Sequence, residues 1–139
     1  MARDTIVVTN TAIHTPGGVG SAGVLATLAL PSAANDAKFD NALGRALLLF
    51  INGFGGASSV SVTITIKSVA DAFGRSGDLE IVVAPGQVAV CGPFPPALFN
   101  QKSGTDIDKV YVDYAPGSGP TLDANSRHAV IRVPIGGNL

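Results

Sequence analysis

The sequence predicts an all-β, single-domain antiparallel β-sandwich, jelly-roll-like, of about eight strands. Three observations carry that prediction. In "SVSVTITIK" (59–67), Val60, Val62, Ile64 and Ile66 alternate with Ser, Thr and Lys. That period of two lines one face of a strand and cannot line one face of a helix. Turn chemistry recurs between the apolar runs, at Asn52-Gly53 to Gly56, at Pro85-Gly86 and at 116–120. Finally, no stretch of the 139 residues keeps a helical period for long, and that length suits one domain spanning 1–139.

The elements follow in order. "TIVVTNTAI" (5–13) is rich in β-branched residues and reads as a strand, and "VLATLAL" (24–30) alternates more weakly. Residues 1–23, with the Gly-rich "TPGGVGSAG" (15–23), have two readings: an extended N-terminal arm, or an ordinary first strand and its loop. "ANDAKFDNALGRA" (34–46) has room for one helical turn, but Asn35, Asp36, Asp40, Asn41 and Gly44 favour loop. "ALLLFIN" (46–52) is apolar on both faces, as expected of a central strand covered on each side. "LEIVVA" (79–84) and "QVAVCG" (87–92) flank Pro85-Gly86, which predicts a hairpin. "KVYVDYA" (109–115) and "HAVIRVPI" (128–135) complete the set. Connections of about ten residues favour a jelly roll over an up-and-down barrel.

"CGPFPPALFNQ" (91–101) contains a formal P-x-x-P pattern, but it lies between two strands, with Lys102 as its nearest lysine. A fixed corner suits it better, because prolines restrict φ and remove ladder donors. Phe94 and Phe99 are then driven into the sandwich end or against a neighbouring subunit.

Charged residues make up only 14%, against roughly 25% in an average domain, so apolar area is left for an interface and an assembly is expected. The nine basic residues are scattered and the net charge is −1, which speaks against direct nucleic-acid binding. The start lacks the pattern of a signal peptide, and no apolar run reaches a membrane span, so synthesis in a cytoplasm and no membrane partner are expected. Gly18 to Gly23 matches a dinucleotide fingerprint, but no helix pattern follows to hold a pyrophosphate, so no cofactor is expected. His14 and His128 lack companions at metal spacing, and the lone Cys91 reads as a small buried hydrophobe. Asp106, Asp108 and Asp113 cluster without opposed acids or further oxygens, which fits a solvated turn better than glycosidase or calcium chemistry. The expectation is a protein that is not an enzyme.

"ALLLFINGFGGASSVSVTITI", "VAPGQVAVCGPFPPALFNQ" and "VYVDYA", in that order over roughly residues 38–115, resemble small tailed-bacteriophage capsid decoration, cement or head proteins. The turn "APGQ" departs from the family's "PAG", and "KSVADAFGRSGDL" (67–79) is long. The resemblance implies a β-sandwich on the outside of an icosahedral head, with the major capsid protein as partner and no catalysis. Such a role suits a homo-oligomer, with a trimer over local three-fold positions favoured. For attachment, two segments are candidates: the N-terminal residues, with Ile6, Val7 and Val8 able to add a strand to a capsid edge, and the corner of Phe94, Pro95, Pro96 and Phe99. Two other classes remain: a head–tail connector, tail or fibre-base component, and a carbohydrate-binding module. The latter usually needs aromatic platforms, and here there is no Trp and only Tyr111 and Tyr114.

Overall fold

The computed structural model describes residues 2–10, 28–53, 60–119 and 122–133. Nine strands follow one another: β1 (Asp4–Thr5), β2 (Val8–Asn10), β3 (Ala37–Asp40), β4 (Ala46–Ile51), β5 (Val62–Lys67), β6 (Leu79–Val83), β7 (Val88–Cys91), β8 (Lys109–Pro116) and β9 (Arg127–Arg132). Between β7 and β8 lie a single helical turn, α1 (Pro96–Phe99), and a 3-10 turn (Gly104–Asp106). The strands form two facing sheets, ordered β1-β3-β8-β5-β6 and β2-β9-β4-β7. The pairs β5–β6, β4–β7, β3–β8 and β2–β9 nest one outside another, which is the strand order of a jelly roll.

Two pairings depart from the all-antiparallel expectation. β1 runs parallel to β3, and β2 runs parallel to β9. Both belong to one extended run that leaves the first sheet for the second around Ile6, whose N–H still donates to Lys38 O at 2.9 Å. Ala29 then meets His128 antiparallel on the same edge of β9, the only pairing within the described part of 24–30. Residues 11–23, including His14 and Gly18 to Gly23, lie outside the described residues.

The Pro85-Gly86 hairpin is corrected. The tight turn exists, with Gln87 N donating to Ala84 O at 3.0 Å, but it joins strands of opposite sheets. β6 pairs with β5, and β7 with β4. Asn52 is the reason. Its N–H donates to Gln87 O, its carbonyl accepts from Gly86 N, and its Nδ2 donates to the carbonyls of Val60 and Val83 at 2.8 Å each. Turn residues set the reversal, whereas the partner of each strand is chosen by tertiary packing. The loop expected over 34–46 likewise contains β3, with Ala37 and Phe39 fully buried. Its polar residues sit at the strand ends, where Asp36 takes a φ of 57° and Asp40 Oδ1 accepts from Ala42 N.

The core holds the inward face predicted for β5, with Val62, Ile64 and Ile66 meeting Leu48, Phe50, Val110, Val112 and Val130. β4 is an interior strand whose Leu48 and Phe50 are buried, while Leu47 and Leu49 on its outer face are half-buried. Cys91 is buried, and burial pushes its thiol up. Tyr114 stacks on Phe50 at 5.2 Å, and its hydroxyl lies 2.8 Å from His128 Nδ1 in the buried interior. Burial lowers the His128 imidazole from 6.5 to about 4. The unfolded chain therefore binds a proton near pH 6.5 that the folded chain refuses until about pH 4. Stability is full above pH 6.5 and is lost as the pH falls to about 4, by roughly 3 kcal/mol. Urea midpoints from pH 7.5 to 4 should show this slope in the wild type and a shallower one in His128→Gln. Equal slopes would mean that the imidazole is not its source.

Candidate attachment surface at the three-loop end

One end of the sandwich is built by the connections β3–β4 (41–45), β5–β6 (68–78) and β7–β8 (92–108). The proline-rich corner lies here, and its direction is set from a distance. Asn41, buried at the end of β3, donates through Nδ2 to Phe94 O at 2.9 Å and to Asn100 Oδ1 at 2.7 Å. Its Oδ1 accepts from Ala46 N, and Asn100 Nδ2 returns a bond to Asn41 O at 3.0 Å. These bonds hold α1 against the sandwich and turn Phe94 inward, where it packs on Phe39 at 5.7 Å and on Phe99 at 5.8 Å.

Further bonds tie the three loops together. Val69 N donates to Leu98 O at 2.7 Å, Asn41 N donates to Asp108 O at 2.9 Å, and Lys102 Nζ donates to Ala70 O. A Cβ on Gly44 would stand 2.9 Å from the Pro96 ring, so the first loop and the corner are in close contact. On this braced end the exposed apolar residues are Leu43, Phe73, Leu98 and Ile107, with Pro95 and Pro96 beside them. A groove of about 330 Å³ opens between the 68–78 loop and α1, floored by Val69, Leu98 and Phe99.

The attachment candidates separate according to burial. Ile6 and Phe94 belong to the chain's own core, at 4% and 1% exposure, so neither is available to a partner. Phe94 takes the inward alternative, and Phe99 is half-buried against it. Val8 packs partly on the core, while Val7 is 70% exposed, and Pro95 and Pro96 are open to solvent. Ile6, Val7 and Val8 are therefore not brought together on one accessible face.

The acidic cluster is occupied from within. Asp106 accepts from Tyr111 Oη at 2.6 Å, Lys38 Nζ at 2.9 Å and Lys109 Nζ at 3.1 Å. Those bonds, that of Tyr111 foremost, hold its carboxyl well below the usual range. Asp113 pairs with Arg3, whose guanidinium lies 4.5 Å from the centre of the Tyr111 ring. Among the described residues no group of three or more His, Cys, Asp or Glu side chains is placed to hold a metal.

Phe73 was missed in the sequence. Its signal is local: in Asp71-Ala72-Phe73-Gly74-Arg75 an Asp precedes a Gly by three residues, which is turn chemistry that lifts the aromatic residue to the loop tip. Compared with known protein families, curated proteins and solved structures, the chain matches none.

Proposed function

We propose that this is a structural virion protein, not an enzyme, which binds the outer surface of an icosahedral phage head and cements neighbouring major-capsid subunits. The observation that carries the reading is the braced three-loop end, where exposed apolar side chains sit on loops cross-linked by buried asparagines and by the bonds of Val69 and Lys102 to the neighbouring loops. A cement must resist strain at its contact, and a preorganised surface loses little entropy on binding. The motif resemblance over residues 38–115 supplies the head context, because a rigid apolar surface alone fits many partners. The outer face of the four-stranded sheet is a second surface, for the homotrimer favoured on symmetry grounds. The register puts half-buried Leu49 beside Val90 there, and Val90 and Val88 are both exposed. By contrast, the five-stranded sheet turns Lys38, Lys67, Tyr111 and Asp113 outward, bound into ion pairs and hydrogen bonds. Several modest contacts on one oligomer then act together through effective concentration.

The glycan-module alternative lacks its platform, since Tyr114 is buried and Tyr111 lies under Arg3 and is bonded to Asp106. The head–tail or tail alternative is separated by counting. Purified virions should carry this chain in numbers that scale with the capsid subunits. A single ring's worth of copies would overturn the decoration reading in favour of a connector or tail component.

A further inference from the structure

We propose that the 68–78 loop is a preformed docking knob, anchored by Phe73, which seats in an apolar pocket edged by carboxylates on the capsid surface. The proposal rests on the shell-attachment reading and names the element that makes the contact. Of the described phenylalanines, Phe39, Phe50 and Phe94 are buried and Phe99 is half-buried, whereas Phe73 is 83% exposed. An apolar side chain held in water at a loop tip contributes nothing to this chain's own core.

The loop is ordered in advance around that side chain. Asp71 Oδ1 accepts from Phe73 N at 2.8 Å and from Arg75 N at 2.9 Å, and its Oδ2 accepts from Arg75 Nε at 2.8 Å. Asp71 N donates back to Arg75 O, and Gly74 N to Asp71 O. At the loop base, Asp78 accepts from Ser68 N at 2.8 Å and pairs with Lys67, while Ser68 Oγ accepts from Gly77 N. A loop so cross-bonded presents its aromatic residue with little further ordering cost, the property expected of an interface anchor.

Charge indicates what the pocket contains. The Asp71 side chain is only 10% exposed and its oxygens are engaged, while its partner Arg75 is 76% exposed and lies 5.3 Å from the centre of the Phe73 ring. Lys102 joins it from the neighbouring loop, where its Nζ donates to Ala70 O. The charge shown outward around Phe73 is therefore positive, which is complementary to carboxylates at the rim of an apolar pocket. The groove beside the knob, with Val69 and Leu98 on its floor, receives a reciprocal apolar side chain from the same partner.

The test uses empty expanded heads from the producing phage, assembled without this protein, and titrates them with purified variants. Phe73→Ala should fold with an unchanged melting temperature and bind at least roughly thirty-fold more weakly, with Phe73→Leu intermediate. Lys102→Glu should weaken binding and flatten its salt dependence, and Val82→Ala on β6 should bind as the wild type does. Undiminished binding of Phe73→Ala to heads that the wild type decorates overturns the knob and leaves the decoration reading standing. Heads that the wild type itself fails to bind remove both.

Discussion

Asn41→Ala is expected to lose roughly 3–5 kcal/mol of stability, because it removes three bonds and leaves buried groups at Ala46 N, Phe94 O and Asn100 Oδ1 without partners. For a chain of this size the melting temperature should fall by on the order of 10 °C. A destabilised but folded variant should also loosen the proline corner, read as faster amide exchange at Leu98, Phe99 and Asn100 than at β8. Asn100→Ala breaks the same network from the other side. The double variant should therefore cost less than the two single changes added together, by about 1–2 kcal/mol. Strict additivity, or a loss below about 1 kcal/mol for Asn41→Ala, would show that the asparagines do not act as one unit.

Gly92→Ala should be as damaging at the opposite end of the same corner. Gly92 has a φ of 112°, where a side chain is strained, and a Cβ there would lie 2.7 Å from Ala46 O and 3.1 Å from the Phe94 ring. The first of those atoms is backbone of β4, so relief requires β7 to separate from β4 or the corner to swing away. The expected loss is about 3 kcal/mol or more, seen as a lower urea midpoint together with a quenched contribution of Phe94 to core packing. Gly86→Ala is the matched control. It shares the positive φ but meets nothing within 4 Å, so it should suffer backbone strain alone and lose distinctly less. Equal losses at the two positions would remove the steric argument.

The readable parts of this fold are those whose cause is local. The alternation from Val60 to Ile66 needs only the pleat to place it, and β5 has the predicted inward face. β4, β8 and β9 were legible from runs of apolar and β-branched residues long enough to cross the sandwich. β3 was not, because four residues flanked by Asp and Asn look like loop until β8 supplies Val110 and Val112 opposite Phe39 and Ala37. Pro85-Gly86 announced a reversal but not which sheet each arm would join, since that depends on Asn52, far back in the chain. In the corner, the prolines revealed rigidity while leaving Phe94 free to face either way. Its inward direction comes from Asn41, more than fifty residues earlier, and no window of sequence around "GPFPP" contains that information. The Phe73 loop lay outside the notice given to apolar periodicity because its order comes from hydrogen bonds to Asp71, Ser68 and Asp78.

The nesting of strand pairs also imposes a timetable on synthesis. The innermost pair, β5–β6, is complete as soon as Val83 has been made, and β4–β7 follows at Cys91. β3 then waits for β8, and β2 has no ladder until β9 arrives with Arg127 to Arg132. β4 waits for the same strand on its other edge. A ribosome halted before Arg127 therefore holds a chain in which β2 has no ladder and one edge of β4 is open, so the second sheet is completed only when β9 is made.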